Sequence, residues 1–161
     1  MKHIVEQTEI KKISDLLHRQ KKSLVVAGGC FDLLHIGHIH LLENAKKEGD
    51  ILIVLLESDS SIKKMKGIDR PIHTQKERAH LLTALRAVDI VVLLPDEMTN
   101  DRYDSLLQEI KPAIIATTQY DPNRNHKKRQ ADAIGAKVIA VNKYIPSVST
   151  TKLLHILSKE S

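Results

Sequence analysis

Two histidines that follow a pair of glycines are the part of this sequence best suited to chemistry. The stretch reads Gly28-Gly29-Cys30-Phe31-Asp32-Leu33-Leu34-His35-Ile36-Gly37-His38. Glycines at a strand end let the backbone turn sharply and come close to a ligand. His35 and His38 flank Gly37 where the spacing of Ile39, Leu41, Leu42 and Ala45 predicts a helix over 37–47. A helix N-terminus offers unpaired N–H groups and a partial positive charge, both of which favour phosphate. The small Gly37 is expected to leave room for phosphate between the imidazoles. Metal binding is the competing use of His35, His38 and His40. No cysteine or carboxylate cluster joins them, so no metal ligation by protein side chains is expected.

Two further segments suit anions. Ser58 to Pro71 is polar and basic, with Lys63, Lys64 and Lys66 ahead of Gly67, and reads as a long loop. Lysine acts as a point charge for phosphates, although most lysine clusters are simply solvated. Near the other end, Ser149-Thr150-Thr151 stands at the start of a predicted helix. Such hydroxyls cap a helix or donate to phosphate with the helix dipole behind them.

The elements between these segments alternate regularly. Helical spacing marks 10–20, with Ile10, Ile13, Leu16 and Leu17 as its apolar positions. Buried-strand runs follow at 24–27, 51–56, 90–94, 113–116 and 137–141. Between and after them lie predicted helices at 37–47, 74–86 (capped by Thr74, with Leu81, Leu82 and Leu85 facing inward), 101–110, 122–133 and 149–158. Strand–helix alternation specifies a parallel sheet with right-handed crossovers. The expectation is an α/β, three-layer, doubly wound single domain over 23–161, preceded by an N-terminal helical extension over 1–22. Ligands in such sheets sit outside the carboxyl ends of the strands.

Composition narrows the classes. The chain has 161 residues, 42% hydrophobic and 28% charged, as in an ordinary globular domain. Lys plus Arg number 25 against 20 Asp plus Glu, a net charge of +5 that suits nucleic acid or phosphorylated small molecules. Aromatics are only 2%, which disfavours nucleic acid because single-strand binders use stacking platforms. The single cysteine, Cys30, excludes an internal disulfide framework. Residues 1–20 carry charges throughout, unlike a secretory signal. The runs 51–56 and 90–94 are too short to span a bilayer. No membrane association and a cytoplasmic location are the expectation.

Gly29 to His38, GCFDLLHIGH, resembles the HxGH motif region of the cytidylyltransferase-like nucleotidyltransferase superfamily. The basic segment is similar to the SDxSxKxxKGxxRP pattern of the adenylyltransferase domain of ADP-heptose synthase, with Lys63 and Lys66 on the patterned lysines. Arg78 matches a recurrent family arginine, and Ser149-Thr150-Thr151 matches the second family motif, (I/V)STT. The resemblance covers about 10–157 and implies a Rossmann-like fold. It implies that His35, His38 and Lys66 act at the reacting triphosphate. Gly29, Cys30, Phe31, Gly37, Lys63, Lys64, Arg78, Ser149, Thr150 and Thr151 would bind the nucleotide. Asp32, Thr118, Gln119 and Tyr120 would meet the acceptor, with Asp32 open to either a ligand or a loop-orienting role. The implied reaction transfers AMP from ATP, as its Mg²⁺ complex, to a heptose-1-phosphate-like sugar phosphate and releases pyrophosphate. The alternatives are a cytidylyltransferase using CTP and a polyol phosphate such as glycerol 3-phosphate, an FMN adenylyltransferase, and a non-catalytic nucleotide- or RNA-binding protein. A homodimer is the family expectation. The chain departs from the heptose pattern at Ala116-Thr117-Thr118-Gln119-Tyr120, where Lys-Gly-Gly-Asp-Tyr is usual, and at Gly28, where asparagine is usual. The arginine that precedes the second motif in glycerol-phosphate cytidylyltransferases is absent, with Lys143 close by.

Overall fold

The structure, a computed structural model, describes residues 3–142 and 149–159. Its elements are β1 (His3–Glu6), α1 (Ile10–Arg19), β2 (Leu24–Gly29), α2 (Ile36–Lys47), β3 (Ile51–Leu56), α3 (Asp59–Lys66) and α4 (Gln75–Ala84), then β4 (Ile90–Leu93), α5 (Asn100–Ile110), β5 (Ile114–Thr118), α6 (Arg124–Ile134), β6 (Lys137–Asn142) and α7 (Thr150–Leu157). The six strands form one parallel sheet in the order β1-β4-β3-β2-β5-β6. This is the expected Rossmann-like α/β fold. β1, which the sequence reading does not name, lies at the edge beside β4, with Val5 opposite Val92.

Alternation along the strands builds two cores, because successive side chains point to opposite faces. Val25, Ala27, Leu52, Val54 and Leu56 pack on one face with Leu41, Leu42 and Ala45 of α2 and with Ala79 and Leu82 of α4. Leu24, Val26, Ile53 and Leu55 pack on the other with Ile10 of α1, Leu106, Leu107 and Ile110 of α5, and Ala131 of α6. Burial on both faces explains why the strands read as continuous aliphatic runs.

Two local expectations are corrected. Residues 59–66 form helix α3 within the stretch read as a long loop. The Ser58 hydroxyl accepts from the Ser61 amide at 3.2 Å, Asp59 lies in the first turn, and three lysines lie in the last. Capping and dipole complementarity thus stabilise a helix whose single buried residue is Ile62. In α4, Thr74 caps as expected, with its hydroxyl accepting from Glu77 N at 3.4 Å and Glu77 accepting from Thr74 N at 2.8 Å. Leu82 is buried and Leu85, at the C-cap, packs half-buried against the core as expected, but Leu81 is 41% exposed. The fully buried residues of α4 are Arg78, Ala79 and Leu82, so a charged side chain lies on its inward face.

Candidate active site

The site begins at the end of β2. This strand has β3 on one side and β5 on the other, so the sheet order reverses there. The crevice at such a switch point is where open α/β sheets bind ligands. Gly28 and Gly29 lie within β2 and do not make the turn. The turn is made at Phe31, whose φ of 45° is left-handed. That conformation costs a non-glycine residue about 1–2 kcal/mol. Burial holds it there: the residue is 2% exposed and its ring centroid lies 5.1 Å from that of His38. Gly29 permits the close approach, since a Cβ there would stand 2.9 Å from the Phe31 ring.

His35 is the N-cap residue of α2, and its carbonyl accepts from His38 N at 2.9 Å and Ile39 N at 3.2 Å. The two imidazoles stack, with centroids 3.7 Å apart and 19° between planes. That is van der Waals contact, so no phosphate fits between them, contrary to the sequence expectation. An anion would meet ring edges. Gly37 serves the stack instead, because a Cβ there would lie 3.1 Å from Nδ1 and Cε1 of His35. Burial, then the Lys66 charge, lowers the His35 pKa. Burial, then His35 and Lys66, pushes His38 down to about 3, with only the Leu33 backbone acting the other way. Both rings are therefore neutral at pH 7, each with one donor and one acceptor nitrogen. Nδ1 of each ring is buried with no hydrogen-bond partner among the described residues. Such an orphan is costly in a closed fold and ordinary in a site awaiting a ligand.

The basic segment divides. Lys66 ends α3, and its charge is felt at His35, His38 and Cys30. Lys63 is exposed one turn earlier on the same helix face. Lys64 instead pairs with Glu97, after β4, at 3.4 Å. Burial raises the Cys30 pKa, so Cys30 stays a thiol at neutral pH.

Arg78 and Asp32 are corrected from ligand contacts to framework. Arg78 is fully buried. Its guanidinium donates to the carbonyls of His73 (3.0 Å), Cys30 (2.6 Å) and Glu57 (2.9 Å) and to Asp59 Oδ1 (2.7 Å). It ties three loop segments together, and four of its five N–H donors are committed. The Asp32 side chain is fully buried. It accepts from Arg70 Nε at 2.5 Å and from the amides of Ile72 and His73 at 2.8 and 3.4 Å. Burial opposes its ionisation, yet Arg70 and these amides hold its carboxyl below the usual range. Asp32 orients the loop.

The far end of the chain meets the histidine loop. Thr150 is buried, and its hydroxyl donates to the Leu33 carbonyl at 3.3 Å, which sets the start of α7 beside the stacked pair. Ser149 caps α7 through Lys152 N at 3.2 Å, and Thr151 is exposed. Lys143, Ser147 and Val148 lie outside the described residues.

At the end of β5, Thr118 is half-buried, Gln119 is exposed and Tyr120 is 71% exposed. Beside them Asp121 accepts from the Thr117 hydroxyl and, at 2.5 Å, from Lys127, which reaches back from α6 and also donates to Thr117 Oγ1 at 3.3 Å. Sequence reasoning missed Lys127 and two others. Glu57 follows β3; burial raises its pKa, and it accepts from the Tyr103 hydroxyl. Asn142 ends β6 and donates from Nδ2 to the Gly37 carbonyl at 3.5 Å. The available signal for Glu57 and Asn142 was position: each stands at the carboxyl end of a strand. Among the described residues, no group of three or more His, Cys, Asp or Glu is placed to hold a metal ion. No helix of these residues is long and apolar enough to cross a membrane.

A family model described as Cytidylyltransferase-like matches residues 26–155. Proteins named bifunctional protein HldE are similar. The one from Nitratiruptor is 46% identical over 107 residues, covering 66% of this chain and 22% of the relative. The one from Proteus mirabilis is 33% identical over 157 residues, covering 98% of this chain and 32% of the relative. The chain thus matches about a fifth to a third of these relatives' length. Among solved structures, a lipopolysaccharide core biosynthesis protein from Thermoplasma volcanium is 31% identical with a TM-score of 0.65, covering 77% of this chain and 99% of that one. A pantoate-beta-alanine ligase from Francisella tularensis, 18% identical with a TM-score of 0.66 over 99% of this chain and 77% of its own, shares the fold.

Proposed function

The chain belongs to the cytidylyltransferase-like family, and from that premise we propose that it is a nucleotidyltransferase that moves AMP from ATP onto a heptose-1-phosphate-like sugar phosphate. The observation that carries this reading is the stacked, neutral His35–His38 pair with unpartnered ring nitrogens, set against the α7 N-terminus through Thr150. A phosphate oxygen of the acceptor attacks the α-phosphorus of ATP. The bond from that phosphorus to the bridging oxygen breaks, and pyrophosphate leaves with the bond pair. The acceptor is already anionic, so no covalent nucleophile is required. The protein's task is to align two anions and to donate hydrogen bonds to charge that grows in the transition state.

In this reading the imidazole edges donate to the α-phosphate region, and Lys66 with Lys63 faces the leaving pyrophosphate. The backbone amides of Thr150 and Thr151, with the Thr151 hydroxyl, hold the triphosphate from the other wall. Arg78 and Asp32 keep the loops in register. Mg²⁺ would accompany the nucleotide and would neutralise part of the phosphate charge. The acceptor lies at the end of β5, where Thr118, Gln119 and Tyr120 stand beside Lys127. A cytoplasmic homodimer belongs to the same reading.

The test is pyrophosphate release with ATP or CTP against heptose 1-phosphate, other sugar phosphates, glycerol 3-phosphate and FMN. Turnover with ATP and the heptose phosphate is expected. Absence of turnover with every pair would reject the enzyme, and turnover only with CTP and glycerol 3-phosphate would reject the substrate assignment.

A further inference from the structure

The buried polar atoms at the histidine loop do not all suit phosphate. Besides the two ring nitrogens, Asn142 Oδ1 is buried and has no hydrogen-bond partner among the described residues. A ring nitrogen donates to an anion when it carries the proton. An amide oxygen only accepts, and its lone pairs repel phosphoryl oxygens, which also accept. The orientation of this amide follows from its other end: Nδ2 lies 3.5 Å from the Gly37 carbonyl. Turned over, it would set two oxygens against each other there. The Asn142 backbone carbonyl accepts from Gln119 N at 3.2 Å. Asn142 therefore stands between the start of α2 and the end of β5, with an acceptor that no described residue satisfies.

We propose that Asn142 reads the nucleoside: its Oδ1 accepts a hydrogen bond from a donor on the ribose or the base. This rests on the nucleotide site described above. A nucleoside triphosphate ionised at neutral pH carries no donor on its phosphates. Its donors are the ribose hydroxyls and, in adenine or cytosine, the exocyclic amine. An acceptor at this point favours a base with an amine over one with a carbonyl in its place, or a ribose over a deoxyribose. A buried acceptor left without its partner discriminates more strongly than an apolar contact does.

Equilibrium binding of Mg²⁺-ATP, 2′-deoxy-ATP, 3′-deoxy-ATP and ITP to the full chain tests this, with CTP, 2′-deoxy-CTP, 3′-deoxy-CTP and UTP as the cytidine set. The wild-type protein should prefer the parent nucleotide by about tenfold over the analogue that lacks the recognised donor. Asn142→Ala should erase that one preference and leave the others standing. Asn142→Ser, which withdraws the oxygen but keeps a polar side chain, should show the same selective loss and keeps the test open if the alanine variant fails to fold. If the variants weaken all nucleotides by one common factor, Asn142 only props the Gly37 carbonyl and the proposal is overturned. Equal wild-type affinity for the parent and every analogue overturns it too. If the wild-type protein binds no nucleoside triphosphate, the nucleotide reading itself falls, a result distinct from either.

Discussion

The neutral state of His38 makes a quantitative prediction. In the native chain burial, the His35 ring and the Lys66 ammonium hold its pKa at about 3. In the unfolded chain an imidazole titrates at about 6.5. Above that value the ring is neutral in both states and adds no pH dependence. Below it the unfolded chain takes up a proton that the native chain refuses, so stability falls as pH falls, until the native ring also protonates at about 3. The slope in that window is about 1.4 kcal/mol per pH unit, and integrating from pH 7 to pH 5 gives about 2 kcal/mol from this one ring. Urea unfolding of the wild type and His38→Gln at pH 7, 6 and 5 isolates the contribution, because glutamine does not titrate. The wild type should lose about 2 kcal/mol more than the variant between pH 7 and 5, and its His38 ring resonance should not titrate over that range. Parallel pH profiles for the two proteins would show a solvated ring and refute the reasoning.

Three other outcomes follow from the geometry. Gly37→Ala places a methyl 3.1 Å from the His35 ring and should tilt it off the stack, lowering kcat by about 10²-fold through misplacement; an unchanged kcat would separate the stack from turnover. Lys66→Ala should raise the KM for the nucleotide and lower kcat, whereas Lys64→Ala, whose partner Glu97 is also exposed, should change neither in steady-state kinetics; equal effects would reject the division of the two lysines. Arg78→Met removes a buried guanidinium from three carbonyls and Asp59 and should cost about 3–5 kcal/mol in urea unfolding; a loss below about 1 kcal/mol would mean the clamp is dispensable.

The fold was legible because the buried strands are aliphatic runs and the helices between them carry apolar stripes. The edge strand was harder. His3–Glu6 buries only Val5, so it lacks the apolar run that marks the inner strands. Helix α3 was masked by its composition, since a single buried isoleucine gives no periodicity. The histidines were legible from type and spacing, but their stacking was not. That contact depends on the left-handed turn at Phe31 and on the β-extended backbone of His35, which spacing does not encode. Arg78 and Asp32 carry charge types that suggest ligands, and only tertiary partners reveal them as framework. Asn142 escaped notice because a lone asparagine after an apolar strand gives no pattern.

The central claim is that the imidazole edges and the start of α7 hold one triphosphate together. A crystal structure with a non-hydrolysable ATP analogue tests it most directly. Phosphate oxygens should lie about 3 Å from nitrogens of both His35 and His38 and, in the same molecule, about 3 Å from an amide or hydroxyl within 149–151. A triphosphate bound by only one of these two groups, with the other facing solvent, would contradict it.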